Sequence, residues 1–126
     1  MLATIDIQRA VYKYLTELGI SVKDTVPANS KLPYVQIGEF QVTDNRTKTN
    51  LRHDYILTLN VWCIDTSGYE FHNLMKQVVS IVESDITLDE YNLDQMDLDF
   101  LNTLKESHEH DFINHGIIQI RFTVSN

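Results

Sequence analysis

The chain has 126 residues, 43% of them hydrophobic, with 18 acidic against 10 basic side chains and a formal net charge of −8. That length suits one domain over residues 1–126 that buries a core without staples, and the lone Cys63 excludes an internal disulfide. The acidic balance excludes a surface whose main task is to hold nucleic acid, since that affinity comes from Lys and Arg neutralising phosphates, but it does not exclude a protein that DNA merely passes.

Residues 1–6 carry no basic stretch followed by an apolar core, and no segment is long and apolar enough to span a bilayer. A soluble chain without a signal peptide or membrane partner is expected. Ile7, Ala10, Val11, Tyr14, Leu15 and Leu18 then recur at helical spacing and predict a first helix, with Thr4 or Asp6 as N-cap and Gly19 as a left-handed terminator. Residues 20–33 mix two prolines with Asn, Ser and Asp and read as a surface connection, with a short extended piece at 20–22.

Pro33 lacks a ladder donor and suits the first position of a strand. The strand from Tyr34 to Val42 alternates until Gly38, after which Phe40 and Val42 fall on the face opposite Val35 and Ile37, so a bulge is expected at Gly38. From Thr43 to His53 the sequence is polar. Arg46, Lys48 and Arg52 put three of the ten basic residues there, beside Asp44 and Asn50, and make this stretch the candidate contact arm; a solvated hairpin tip explains the same composition.

Asp54 to Asp65 carries the strongest β signal. Tyr55, Leu57, Leu59, Val61 and Cys63 share one wholly apolar face, while Ile56, Thr58, Asn60, Trp62 and Ile64 share a mixed one. The mixed face is expected against solvent or another copy, and Trp62 is too large an apolar surface to leave wet without a reason. Ser67-Gly68-Tyr69-Glu70 has the form of a capping box opening a second helix, whose stripe is Phe71, Leu74, Met75, Val78, Ile81 and Val82.

Residues 83–99 hold Glu83, Asp85, Asp89, Glu90, Asp94, Asp97 and Asp99 and no basic residue. The run from Asp94 to Asp99 spaces carboxylates loosely like a calcium loop but lacks its sixth-position Gly and terminal Glu. A strand from about Met96 to His108 is the better reading, with a bend where Phe100, Leu101 and Leu104 break the alternation. Gly116 to Val124 closes the chain with Ile118, Ile120, Phe122 and Val124 inward. The order α-β-β-α-β-β predicts an α+β fold, an antiparallel sheet of about four strands with two helices on one face.

Chemistry is sparse. His108, His110 and His115 form the one cluster with metal-ligand residue types at close spacing, yet they fall at an expected hairpin turn and no Cys or fixed carboxylate spacing supports zinc. There is no Gly-rich phosphate loop and no nucleophile elbow, and no His is placed to activate Cys63. His72 lies off the apolar stripe and is expected exposed. No enzyme, no cofactor and no metal site are expected.

Lys31 to Gly38, the polar loop, Leu57 to Trp62, the helix and the terminal Gly116 to Val124 together resemble the tail-completion or tail-terminator proteins of long-tailed bacteriophages. The resemblance covers nearly the whole chain and rests on the order of short motifs. It implies a small structural subunit that forms a ring, generally a hexamer, caps the last ring of the major tail-tube protein, stops tube growth and offers the face to which the head-completion or connector protein docks. DNA passes through such a ring without specific binding, and the protein belongs to the virion after assembly in the host cytoplasm. Asp44, Arg46, Lys48, Asn50 and Arg52 would then reach a neighbouring subunit or the tube, with Trp62 at or near a subunit contact. The acid-rich 83–99 segment and the histidine cluster match no family pattern. The competing reading is a non-enzymatic protein-binding module, monomer or dimer, that uses the mixed sheet face; a small acid-base enzyme acting through the 83–99 carboxylates would need a closed pocket with perturbed acids.

Overall fold

The computed structural model describes residues 2–25, 31–49, 51–64, 68–108 and 111–126, with the side chains of residues 107, 108 and 111 left out. Its elements are α1 (Thr4–Glu17), β1 (Val22–Lys23), β2 (Tyr34–Asp44), β3 (Arg52–Ile64), α2 (Tyr69–Val79) with a 3-10 extension at Ser80–Glu83, β4 (Asn92–His108) and β5 (Asp111–Ser125). The sheet runs β1-β2-β3-β5-β4, with β1 parallel to β2 and every other pair antiparallel. The fold is thus α+β, as the element order predicts. The sheet has five strands and is mixed, because the 20–22 piece, displaced to Val22–Lys23, adds to the edge of β2.

β3 is central. Tyr55, Leu57, Leu59, Val61 and Cys63 are all fully buried, joined on β5 by Ile118, Ile120, Phe122 and Val124. These side chains share one core with the buried faces of both helices, Ile7, Val11 and Leu15 from α1 and Phe71, Leu74, Met75 and Val78 from α2. Each fully buried Leu, Ile or Phe contributes about 1.5–3 kcal/mol of transfer free energy. Ile81 continues the stripe of α2 into the 3-10 turn, where Val82 is partly buried.

The expected bulge falls at Gly38. The β2–β3 register shifts between Ile37 and Phe40, which returns Phe40 and Val42 to the face of Ile37. Gly116 meets a different demand: a Cβ there would lie 2.2 Å from Met75 Sδ and 3.3 Å from Phe71 Cζ, so its bare backbone is what lets α2 lie flat on β5.

The helix ends depart from expectation. α1 is capped by Ala3, not by Thr4 or Asp6, and has no side-chain cap. The Ala3 amide donates instead to the Tyr55 hydroxyl at 3.0 Å, and the Asp6 carboxylate accepts from the Glu90 amide at 3.2 Å, tying the acid-rich segment to the first turn. Gly19 ends α1 as expected, with φ 82°. Its amide bonds Thr16 and that of Ile20 bonds Leu15 at 3.1 Å, a Schellman pair. Leu18 is left exposed, and Ile20 takes the place in the core that the helical spacing assigned to Leu18. α2 starts at Tyr69 with Gly68, φ 81°, as its N-cap and no side-chain cap there, one residue later than the expected Ser67; Ser67, and with it the expected capping box, lies outside the described residues. The His72 amide reaches the Gly68 carbonyl at 2.9 Å, and a glycine tolerates that conformation without strain.

β4 and β5 are longer than their sequence signals, beginning at Asn92 and Asp111 rather than Met96 and Gly116. The bend expected near Phe100 is a register shift between Leu98 and Phe100, with a second between Leu93 and Gln95. No calcium loop forms at Asp94 to Asp99, since that run is strand.

Candidate assembly interface

Residues directly opposite on antiparallel strands point to the same side, so the register defines the face of the sheet that the helices leave open. Down its centre run Asp54 opposite Thr123, Ile56 opposite Arg121, Thr58 opposite Gln119, Asn60 opposite Ile117, Trp62 opposite His115 and Ile64 opposite Ile113. Polar members close on one another: Thr123 Oγ1 donates to Asp54 Oδ1 at 2.9 Å, Gln119 Nε2 to Thr58 Oγ1 at 3.1 Å, and Arg121 pairs with Asp99 from β4. Thr58 and Thr123 are buried with no helix over them, so the cross-strand ladder itself shields them.

The reason that keeps Trp62 from water is His115. The two rings are stacked, 3.7 Å between centroids and 8° between planes, and His115 Nε2 lies 2.9 Å from Asn60 Oδ1. Because a carbonyl oxygen only accepts, Nε2 carries the proton in this pair. Burial pushes the His115 pKa below its usual value, against an upward pull from the Glu106 carboxylate. The imidazole stacked on the indole is therefore held toward its neutral form. Ile64, Phe100 and Leu104 stay exposed around this group on the same face.

At one end of the sheet β2 and β3 run on as a hairpin. Thr43 pairs with Asp54 and Asp44 with His53, so the 43–53 stretch is strand at both ends, and of the residues between, 45–49 and 51 are described and lie outside the strands. Asp54 anchors the loop by accepting from Asn45 Nδ2 at 3.2 Å. Arg46 does not reach outward alone: its Nε lies 2.7 Å from Asp44 Oδ2 and its amide donates to Asp44 Oδ1. Burial works upward on the Asp44 carboxyl, but the Arg46 amide and guanidinium, with His53, outweigh it and hold its pKa below the usual value. Lys48 is exposed, Arg52 belongs to β3 rather than to the loop, and Asn50 lies outside the described residues.

The structure thus separates the candidate residues into two groups, Asp44, Arg46, Lys48 and Arg52 on the hairpin and Trp62 near the opposite end of β3. Among the described residues, Arg52 Nε and Trp62 Nε1 are buried with no hydrogen-bond partner, one in each group. Three features escaped sequence reasoning. His115 belongs to the Trp62 stack rather than to a metal cluster, a role that its place one turn of the alternation before Ile117 could have signalled. Asn60 serves as its anchor. Phe100, Leu101 and Leu104 are exposed apolar residues on β4, where the broken alternation signalled only a bend. No group of three or more His, Cys, Asp or Glu able to hold a metal occurs among the described residues, and His110 lies outside them.

Two helices on one face of a five-stranded sheet, with the other face open beside a projecting hairpin, define a small α+β domain. Residues 7–125 match the family described as tail completion protein gp17, and the chain belongs to that family of structural phage tail proteins. A chain in a solved structure described as the virion of a native gene transfer agent particle is similar, at 23% identity over 96% of both chains with a TM-score of 0.70. At that identity the likeness is one of fold. No curated protein matches the sequence.

Proposed function

We propose that this tail protein forms a ring, a hexamer as its family resemblance implies, that caps the tail tube, stops its polymerisation and provides the surface to which the head joins. The observation that carries the reading is the match to the tail completion family over residues 7–125. Two features of the chain support a ring over a dimeric binding module. A closed ring needs a head-to-tail contact between two different patches, and the hairpin arm is a patch distinct from both the open sheet face and the β4 edge of the sheet. The partners in this reading are further copies of the chain, the major tail-tube protein and the head-completion connector. An excess of acids over bases suits a ring through which DNA slides without sticking.

Electron microscopy of tails made with the reading frame disabled tests the function. Overlong, headless tubes of irregular length are the expected result. Tails of normal length joined to heads would sink the terminator reading and leave the binding module.

A further inference from the structure

β4 is the long edge of the sheet, hydrogen-bonded to β5 and, among the described residues, to no other strand. Every residue from 98 to 106 is exposed. Within that run Leu98, Phe100, Leu101 and Leu104 are each 42–46% exposed, on both sides of the strand: Leu101 is opposite inward-facing Ile118, and Leu104 opposite outward-facing His115. A long, apolar, uncovered edge is a template for pairing with another chain, and proteins blunt such edges unless something covers them. The opposite edge, β1, is only two residues long.

The charge along this edge indicates its occupant. β4 carries four acids, Asp94, Asp97, Asp99 and Glu106, against one lysine, Lys105, and of these Asp99 is already paired with Arg121 of β5. The hairpin arm, residues 43–53, carries Arg46, Lys48 and Arg52 against the single acid Asp44 and exposes Val42 and Leu51 on its flanks. Arm and edge are complementary in sign and both offer apolar surface. Within one chain β5 stands between β3 and β4, and Asn45 is bonded to Asp54, so the arm is held away from its own edge strand. Two halves of a complementary pair that one chain keeps apart can meet between copies, head to tail.

We infer that the hairpin arm of each copy docks along the exposed β4 edge of the next copy, Arg46 and Lys48 facing the Asp94 and Asp97 end. This rests on the ring reading and specifies its subunit contact. Exposed charges steer and select partners more than they add affinity, so the apolar residues of the edge supply the buried area and the charges fix the register.

The test uses two charge-reversed full-length chains, an arm variant with Arg46→Glu and Lys48→Glu and an edge variant with Asp94→Lys and Asp97→Lys. Sedimentation velocity follows each chain and their equimolar mixture, and circular dichroism checks that each is folded. Each variant alone should self-associate about tenfold or more weakly than the wild type. The mixture should recover assembly, because the acidic arm of one variant fits the basic edge of the other and the wild-type patches fit in turn. Wild-type assemblies with which both variants form equally well would overturn the inference and leave the ring standing. Folded variants that are each weakened but not rescued on mixing would also overturn it. A wild-type chain that stays monomeric at every concentration would overturn the ring reading and this contact with it.

Discussion

The two faces of β3 face different surroundings although they share one backbone. On the inner face five consecutive alternate residues are fully buried, and the helices that cover them are chosen by apolar spacing alone. On the outer face no helix covers the strand, and order comes from side chains that pair across to β5: a threonine on a glutamine, an asparagine on a histidine, a histidine on a tryptophan. Non-directional burial tolerates many sequences of the right size, whereas a polar ladder depends on specific partners. The inner face should therefore carry stability and the outer face assembly.

The largest effect expected is on the inner face. Leu59 is fully buried between Ile37 on β2 and Ile118 on β5. Leu59→Ala leaves a cavity in the middle of the sheet and should cost about 2–5 kcal/mol, read as a lowered urea midpoint. A loss under about 1 kcal/mol would mean that the helices collapse onto the sheet far more readily than the packing here allows. The matching change on the outer face is Trp62→Ala. It removes the stack on His115 and should cost only about 1 kcal/mol of stability. Self-association of the folded variant should nevertheless fall in sedimentation experiments, because the largest aromatic surface of the open face is gone. An assembly of wild-type strength would remove Trp62 from the interface and break the division of labour between the faces.

That division also explains what could be read from the sequence. Periodicity placed the inner residues of β3, β5 and both helices, apart from Leu18 at the end of α1, since a two-residue or 3.6-residue repeat follows directly from which side is dry. It also located the bulge at Gly38, because Phe40 and Val42 fall out of phase with Val35 and Ile37. Helix starts were less legible. Asp6 has an N-cap side chain but uses it on the Glu90 amide 84 residues away, and no local pattern reveals a tertiary partner. β1 was too short to carry a period of its own and owes its existence to the edge of β2. The arm was marked by composition, yet the pairing of Arg46 with Asp44 and the withdrawal of Arg52 into β3 depend on a hairpin register that polar residues do not encode. The open face was the least legible part, since Asn60, His115 and Gln119 look like ordinary solvated positions until the register sets them side by side.

The smallest effect, and the sharpest on the comparison, concerns pH. His115 sits on the open face yet has a pKa lowered by burial, so it borrows a property of the closed one. Above the usual value of 6.5 the imidazole is neutral in folded and unfolded chains alike, and it contributes no pH dependence. As the pH falls below 6.5, the unfolded chain takes up the proton first, and stability declines until the folded His115 is protonated too. Glu106 opposes this by favouring the charged ring, which keeps the effect modest. Because the chain has five histidines, the expected result is a difference of differences: the drop in urea midpoint from pH 7.5 to pH 5.5 should be smaller in His115→Gln than in the wild type. Proton NMR of the His115 ring gives the independent reading, a midpoint below 6.5. A midpoint at or above it would mean that burial does not outweigh the pull of Glu106 and that the stack on Trp62 is not a sheltered patch.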